Sequence, residues 1–403
     1  MKAYGSIRFE REDISRLFGL TVRRETAYSA DVDCPFCHYK KGKMNVNWYK
    51  NAFRCNICEE SGSLIELYQR LNCLSDKETA RRRIRERIPV TRCDVSLTFS
   101  PKRKLVPPSQ KADRKVIHDT FSGLIQCLGL RPEHKQALLD RGLTEEQIER
   151  YRYRSVPMKG MRNISQSLAE DGYILKGVPG FYQCANGEWS LCFGKYNAGI
   201  LIPVIGADGL IAGAQIRLDH PKDGRKYIWF SSGYKEGGTG SGSPVSVNGD
   251  LHRETVIVTE GYLKATIAHC LSGETFIGTG GVNQLKNLEG LLKLLPSYGV
   301  KRVYEADDMD KKLPLVCLGD YDESCAGCEF RNGLFEVHDC PRKRKKQENI
   351  ERGRKRLVQM CIEHRLECKS LVWDLREDGL WAGHYKGIDD FWAAKQKERK
   401  EEQ

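Results

Sequence analysis

Two cysteine pairs near the start of the chain constrain its fold more than any other feature. Each pair has Cys-x-x-Cys spacing, and 17 residues separate the pairs. Four thiolates in two close pairs suit a tetrahedral zinc ion, and an all-cysteine site is structural because no coordination position stays open. His38 could in principle replace Cys37 as a ligand. The predicted zinc ligands are Cys34, Cys37, Cys55 and Cys58.

The residues around these cysteines predict the rest of a small zinc module. The run MNVNWYKNAFRC alternates in hydrophobicity, as hairpin strands do. Ser63 then precedes an apolar pattern with helical spacing, which is typical of an N-cap. Trp48 is one of several aromatic residues beside lysines here, and it could stack on nucleic-acid bases. The alternative, that the rings only pack the core of the module, stays open.

The charge of the chain favours a polyanionic partner. Its 403 residues include 66 Lys and Arg against 54 Asp and Glu, which gives a net charge of +12. Basic side chains that neutralise phosphates gain free energy through counterion release, although an ordinary soluble basic protein could have the same composition. No run is apolar enough to span a bilayer and the chain opens without a signal peptide. We therefore expect a cytoplasmic protein without membrane contacts.

We predict an α/β chain, α+β when taken as a whole, with three folded parts. The expected parts are an N-terminal zinc ribbon, a mixed α+β basic subdomain, and an α/β domain with a largely parallel sheet in which strands and helices alternate. KSLVWDL is predicted to be its last strand. The boundaries are 1–92 for the zinc ribbon, 93–115 for a linker, 116–250 for the basic subdomain and 251–403 for the α/β domain.

A cysteine-rich, basic insert interrupts the α/β domain at 311–349. It contains a Cys-x-x-Cys pair with a further cysteine on each side, which is costly to keep in a charged loop unless it binds metal. The alternative is a solvated loop with spare cysteines. A second zinc ion is therefore possible, and its ligands would be Cys317, Cys325, Cys328 and Cys340.

Acidic residues lie at the ends of two predicted strands of the α/β domain. Glu260 ends the run TVIVTEG, and Asp308 and Asp310 end RVYEADDMD. Ligands bind outside the carboxyl ends of strands in open parallel sheets, and gathered carboxylates repel one another unless a cation lies among them. Mg²⁺ (or Mn²⁺) is expected because it takes carboxylates together with phosphates. Asp307 either binds the ion or flanks the pair; alternatively, all these acids only cap strands.

Together and in this order, these segments resemble bacterial DnaG-type primases. TVIVTEG with EADDMD resembles their Toprim domain, CPFC with CNICEESGSLIEL resembles their zinc ribbon, in which one ligand is usually a histidine, and GILIPVIGADGLIAGAQIRLD resembles their basic subdomain. The resemblance implies that Glu260, Asp308 and Asp310 are the catalytic, metal-binding carboxylates. It also implies nucleotide or template contacts from Arg217, Lys226, Tyr227 and Lys386.

The resemblance implies a DNA primase, an enzyme that copies single-stranded DNA into short RNA primers from ribonucleoside triphosphates. The Asp-Met-Asp form of the acidic motif, and the absence from the sequence of a helicase-binding domain and of a phosphate-binding loop, favour a member from a phage, plasmid or other mobile element. Its replicative helicase would act in trans. Two alternatives stay open: a Toprim nuclease or topoisomerase-like enzyme, and a non-catalytic DNA-binding replication initiator.

Overall fold

The chain divides into two compact units, residues 1–107 and 108–403, which we describe separately. The computed structural model describes residues 7–58, 60–91, 109–184, 186–193, 197–222, 225–233, 235–317, 325, 328 and 339–401. Most of the predicted linker lies outside these residues. The described end of that segment leads into a helix that begins at Arg114, two residues before the predicted start of the next domain.

In its described residues, the first unit contains a five-stranded antiparallel sheet whose strands follow sequence order. The second and third strands alternate between buried and half-buried residues, as expected when one face of a sheet covers a core. Ser63 caps the following helix, as predicted, by accepting a hydrogen bond from the Glu66 amide. The elements are α1 (Asp13–Arg16), β1 (Val22–Glu25), β2 (Ser29–Val32), β3 (Met44–Asn47), β4 (Ala52–Cys55), β5 (Ser61–Ser63), α2 (Leu64–Leu71) and α3 (Lys77–Arg85).

The second unit begins with helices and an antiparallel sheet. The predicted cap at Thr144 is a capping box, in which its side chain and that of Gln147 each accept the other's backbone amide. The elements are α4 (Arg114–Gln126), α5 (Pro132–Leu139), α6 (Glu145–Arg150), β6 (Arg154–Ser155), α7 (Met161–Glu170), β7 (Phe181–Gln183), β8 (Trp189–Leu191), β9 (Gly199–Ile205), β10 (Ile211–Lys222) and β11 (Arg225–Trp229). Strands β11, β10, β9 and β6 form one sheet in that order, and β7 pairs with β8.

The rest of the second unit is an α/β layer built on a mainly parallel sheet. Its elements are β12 (Ser246–Asn248), β13 (Thr255–Glu260), α8 (Tyr262–Ser272), β14 (Phe276–Thr279), α9 (Leu288–Leu294), a 3-10 turn (Leu295–Tyr298), β15 (Arg302–Glu305), a second 3-10 turn (Met309–Lys312), α10 (Pro341–Glu363), β16 (Glu367–Ser370) and α11 (Ile388–Glu401). Within the part of the chain described, the strand order is β12-β14-β13-β15-β16. Only the β12–β14 pairing is antiparallel.

This strand order creates a crevice at the carboxyl ends of β13 and β15. After β13 the chain crosses to β14 on one side, whereas β15 lies on the other side and leads outward to β16. The order therefore reverses between β13 and β15, and such a switch point is where open α/β sheets bind ligands. Glu260 is the last residue of β13, and Asp307 lies two residues beyond the end of β15. The fold thus brings the predicted acidic segments to the same crevice.

The two sheets of the second unit share buried side chains. Strand β9 is buried on both faces: Leu201 packs with the side of the sheet that faces α4, while Ile202 and Val204 pack against Tyr262 and Ile267 of α8. The predicted boundary at 250 and 251 therefore separates elements that have one continuous core. Among the described residues, no helix is both long and apolar enough to cross a bilayer.

The predicted fold class is confirmed: the chain is mixed α+β with a parallel-containing sheet and a four-cysteine cluster. The last predicted strand, KSLVWDL, is displaced. Strand β16 is Glu367–Ser370, because its ladder follows β15 and ends where Ser370 pairs with Glu305. Beyond it Trp373 turns into the core. Helix α10 also begins within the predicted insert, at Pro341.

Candidate functional site

The four predicted zinc ligands converge in the first unit. Cys34 and Cys37 lie in the turn after β2, and Cys55 and Cys58 lie at the end of β4 and in the turn that follows. The Cys34 and Cys58 sulfurs are 3.8 Å apart, as are those of Cys37 and Cys55, and all four lie within 4.8 Å of one another. Sulfurs at about 2.3 Å from a central ion in tetrahedral geometry are about 3.8 Å apart. The cluster therefore has the size that a zinc ion requires.

The thiols of this cluster already differ in acidity. A hydrogen bond with Cys34 lowers the pKa of the Cys55 thiol to about 5, and the Ile57 amide donates to the Cys55 sulfur at 3.4 Å. Burial, in contrast, raises the pKa of Cys58 to about 12. One thiolate beside buried thiols is a preformed donor set, and zinc binding would ionise the rest. The side chain of His38 is not part of this group, so the ligand set is the predicted four cysteines.

The aromatic residues of the first unit fall into two classes. Phe53 is buried, with its ring 5.8 Å from that of Phe36, and Trp48 packs partly buried against the same core. Tyr49, in the turn after β3, is 60% exposed and lies 5.6 Å from the ring of Tyr28, which is 53% exposed. Trp48, predicted to contact nucleic acid, is thus a partly buried neighbour of this core, and its contact with nucleic acid stays a prediction. The exposed pair Tyr28 and Tyr49 has the open ring faces that stacking requires.

The cysteines of the insert are not gathered in the same way. Cys325 and Cys340 are buried and Cys317 and Cys328 are half-buried. Across the described residues, the cluster of the first unit is the one group of three or more potential metal ligands that meets within 4.8 Å. Within the insert, residues 318–324, 326–327 and 329–338 lie outside the described residues. The second zinc ion stays a prediction.

The acidic residues of the second unit lie at the crevice between β13 and β15. Both Asp308 and Asp310 lie beyond the end of β15, so they do not end a strand as predicted. Asp308 directly precedes the second 3-10 turn, and Asp310 lies within it. The ladder stops there because the Asp307 amide turns back to the Glu305 carboxylate, 2.6 Å away. The Asp307 carboxylate accepts from the Glu260 amide at 3.1 Å, which ties the two strand ends together.

Lysine side chains lie among these carboxylates. Lys386 approaches Asp308 at 3.3 Å and Asp310 at 2.8 Å, so the two aspartates converge on one ammonium group, as expected of residues that share a cation. Lys346 of α10 pairs with Asp310 at 2.7 Å. Lys264 of α8 pairs with Asp308. The three lysines separate the carboxylate oxygens, and the acids do not meet within the 4.8 Å limit satisfied by the cysteines.

The electrostatics of the crevice are dominated by burial and by repulsion between acids. Burial, together with the charges of Glu305 and Glu260, raises the pKa of Asp307 to about 8. Burial and the neighbouring Asp308 also raise the pKa of Glu260. The pKa of Asp308 is lowered: burial opposes this, but Lys264 and Lys386 outweigh it. A further cation among these acids would favour the ionised forms of Glu260 and Asp307.

These carboxylates fit Mg²⁺ by the chemistry of their donor atoms. The available ligands are oxygens, which Mg²⁺ prefers, and Asp307, Asp308 and Asp310 are almost fully buried. Asp389, in the first turn of α11, is buried with one carboxylate oxygen that has no hydrogen-bond partner. An orphaned buried carboxylate oxygen is costly unless a cation approaches it.

An ion-pair chain links this crevice to the antiparallel sheet. Asp389 pairs with Arg141, which follows α5, and Arg141 also contacts the hydroxyl of Tyr227 on β11. Tyr227 is directly opposite Arg217 of β10 in the ladder, and the adjacent Lys226 is exposed. Of the predicted nucleotide-contacting residues, Tyr227 is therefore connected to the acidic crevice through Arg141, and Arg217 lies opposite Tyr227 in the ladder.

Three residues of these sites were not predicted from the sequence. Lys264 is in the first turn of α8, four residues after Glu260, so its closeness to the predicted acidic residues in sequence could have been noticed. Arg141 has no comparable local signal, because its partner Asp389 is 248 positions away. Tyr28 lies outside the cysteine segment and reaches Tyr49 only through the pairing of β2 with β3.

Comparison with known proteins finds similarity to solved structures of bacterial primases. No protein-family model and no curated protein matches the chain. A crystal structure of the Aquifex aeolicus primase (zinc-binding and RNA polymerase domains) is 15% identical, with a TM-score of 0.46, over 97% of this chain and 81% of that one.

Two shorter matches concern single domains. The RNA polymerase domain of Mycobacterium tuberculosis primase DnaG is 15% identical, with a TM-score of 0.38, over 48% of this chain and 67% of that one. The catalytic core of the E. coli primase is 17% identical, with a TM-score of 0.34, over 48% and 61%. The solved structures matched are thus DnaG-type primases, the family that the sequence segments also resemble.

Proposed function

We propose that the protein is a DNA primase, which synthesises short RNA primers on single-stranded DNA by metal-dependent nucleotidyl transfer. The observation that carries the proposal is the convergence of Glu260, Asp308 and Asp310 at the switch point between β13 and β15. The ordered sequence resemblance to the zinc ribbon, basic subdomain and Toprim domain of primases supports it. In this proposal the α/β layer of the second unit is the Toprim domain.

In the proposed reaction, the 3′-hydroxyl of one ribonucleotide attacks the α-phosphorus of the next and pyrophosphate leaves. Glu260, Asp308 and Asp310 would hold Mg²⁺, with Asp307 beside them. The ion, when bound, lowers the pKa of the attacking hydroxyl and stabilises the charge of the leaving group. Lys386 and Lys346 are exposed enough to exchange their carboxylate partners for triphosphate oxygens.

The basic residues of β10 and β11 would hold the polyanionic strand and the incoming nucleotide. Arg217 and Lys226 offer positive charge, and Tyr227 is held by Arg141. In the first unit, Tyr28 and Tyr49 lie at the end of the β2–β3 pair opposite the cysteine cluster, and they would stack on unpaired template bases. From the sequence alone, we further propose action in the cytoplasm, with a helicase supplied in trans, for the replication of a phage, plasmid or other mobile element.

A primer-synthesis assay tests the proposal. The full chain is incubated with circular single-stranded DNA, Mg²⁺ and labelled ribonucleotides, and RNA products are resolved by length. We expect short, template-dependent RNA, and a loss of at least roughly 100-fold in Asp308→Asn and Glu260→Gln, since each would remove a carboxylate that holds the metal ion, and the ion would stabilise the charge of the transferring phosphoryl group. Asp378→Asn, at an exposed acid that forms an ion pair with Arg376, is the matched control and should keep full activity.

Three results would contradict the proposal. DNA cutting without ribonucleotide incorporation would favour the nuclease or topoisomerase-like alternative. Binding of single-stranded DNA without either reaction would favour a non-catalytic initiator. Equal activity of Asp308→Asn and the unmodified protein would remove the carboxylate cluster from the mechanism.

A further inference from the structure

Lys264 occupies a position that ordinarily disfavours a positive charge. It is the third residue of α8, the helix whose N-cap is Gly261. The first turn of a helix carries the positive end of the helix dipole and exposes unpaired amides, so anions are favoured there and cations are not. A lysine at this point is therefore stable only if nearby acids compensate for its charge.

The acids around Lys264 provide that compensation. Its ammonium group is paired with Asp308, and the charges of Glu260 and Asp389 also act on it. The lysine therefore lies between carboxylates of β13, of the segment after β15, and of α11. No two of these segments are adjacent in sequence, so the ammonium group is a neutralising centre formed by the fold.

The packing around Lys264 prevents it from leaving. Its side chain is only 17% exposed. Gly387 lies against its stem: a Cβ added at Gly387 would be 3.3 Å from the Lys264 Cε atom and 2.4 Å from Asp389. A side chain at 387 would therefore have to displace the Asp389 carboxylate, which lies beside the lysine.

The other two lysines of the cluster are in the opposite situation. Lys386 is 46% exposed and Lys346 is 48% exposed, and both reach Asp310 from the solvent side. Their long side chains can swing into water at little cost, because exposed ion pairs contribute only about 0–1 kcal/mol. They can therefore yield to a divalent ion on Asp308 and Asp310, whereas Lys264 cannot.

We propose that Lys264 is a permanent cation of the carboxylate cluster, where it takes the place of one divalent ion. The cluster then binds a single exchangeable divalent ion, on the side of Asp308 and Asp310 where Lys386 and Lys346 give way. Lys264 is a positioning residue: it holds Asp308 and balances Glu260 and Asp389 before any metal binds. This inference rests on the proposed function, since it presumes that the acids are metal ligands.

Counting bound Mn²⁺ tests the inference without any measurement of catalysis. The full-length, zinc-loaded protein is titrated with Mn²⁺, and free Mn²⁺ is followed by electron paramagnetic resonance. We expect one Mn²⁺ per chain in the unmodified protein and two in Lys264→Gln, which keeps a polar side chain but removes the charge. Lys264→Arg should restore a count of one.

Two further variants separate the roles of the lysines. Lys346→Gln should keep a count of one but bind it roughly tenfold more tightly, because a competing charge has gone. Lys293→Gln, at an exposed position of α9, should match the unmodified protein in count and affinity. Circular dichroism and hydrogen exchange in α8 establish that each variant is folded.

The outcomes distinguish this inference from the proposed function. Two Mn²⁺ in the unmodified protein, or one in a folded Lys264→Gln variant, would overturn the inference and leave the primase proposal standing. No Mn²⁺ binding in the second unit would overturn both. If Lys264→Gln does not fold, the inference is still tested by the number of Mn²⁺ ions bound to the unmodified protein and by the Mn²⁺ affinity of Lys346→Gln.

Discussion

The four sulfur ligands of the first unit lie within 25 residues of sequence. The acidic cluster of the second unit instead combines distant segments, and its member Asp389 pairs with Arg141, 248 positions away. The sulfur cluster is a closed set in which every ligand faces the same point. The acidic cluster is a mixture of carboxylates and ammonium groups around a crevice. A site made by local spacing depends on its metal for folding, while a site made by strand order depends on the sheet and tolerates the absence of metal.

The largest expected effect comes from removing the zinc ion. Chelation, or Cys58→Ser, should unfold the first unit, because structural zinc contributes roughly 10–16 kcal/mol in small zinc modules and the unit has only a modest core. Hydrogen exchange of the full chain measures this: protection in β3 and β4 should vanish while protection in β13 remains. Cys127→Ser, at an exposed cysteine, is the control. Unchanged protection in β3 after chelation would show that the first unit, like the second, does not need its metal to fold.

The acidic cluster should instead be sensitive to its distant ion pair. Arg141→Leu leaves the Asp389 carboxylate buried without its partner, which should cost about 3 kcal/mol in the free energy of unfolding of the second unit. Urea denaturation followed by fluorescence measures the change. Arg114→Leu removes an arginine from a more exposed pair with Asp208 and should cost less than about 1 kcal/mol. Equal losses of unfolding free energy in the two variants would show that the buried Arg141–Asp389 pair stabilises the unit no more than the exposed pair does.

A smaller effect is expected at the exposed rings of the first unit. Tyr49→Ala should weaken binding of a single-stranded DNA oligomer about fivefold, since a base stacked on an aromatic ring contributes at least about 1 kcal/mol. Tyr28→Ala should resemble it, and the double variant should lose less than the sum because the rings are in contact. Fluorescence anisotropy gives the affinities. Ile88→Ala, another exposed apolar residue of this unit, should have no effect.

The smallest effect is a pH dependence of the second unit at His134. This imidazole is buried between Ser155 and Asp219, and burial lowers its pKa, with help from Arg131. As the pH falls, His134 therefore becomes protonated in the unfolded chain before it does so in the folded one. The free energy of unfolding should decrease as the pH drops below about 6.5, the pKa of a histidine in an unfolded chain. Between pH 7.5 and 5.5 the loss should be about 1 kcal/mol. His134→Gln should flatten this slope; an unchanged slope would assign it to other groups.

Local features of both units could be read from the sequence. The zinc ligands, the β3–β4 hairpin and the caps at Ser63 and Thr144 were predicted because each depends on residues within a few positions of one another. The strands that carry Glu260 and precede Asp308 were also predicted, since buried parallel strands read as short apolar runs.

Features that depend on distant partners could not be read in this way. The length of β16 is set by its ladder with β15, so the apolar residues after Ser370 misled the strand prediction. Lys264 and Asp308 are 44 positions apart, and only the strand order brings them together. Trp48 and Tyr49 are adjacent and both aromatic, but the course of the turn after β3 decides that one packs the core and the other faces solvent.

The edges of the parallel-containing sheet have a consequence for the behaviour of the protein at high concentration. Strand β16, at one edge, carries Glu367, which pairs both with Lys369 of the same strand and with Arg302 of β15. Strand β12, at the other edge, has only three residues and runs antiparallel to its neighbour. A second chain could extend this sheet only by burying those charges or by matching a very short strand. Both edge strands, β12 and β16, therefore disfavour edge-to-edge aggregation of this sheet.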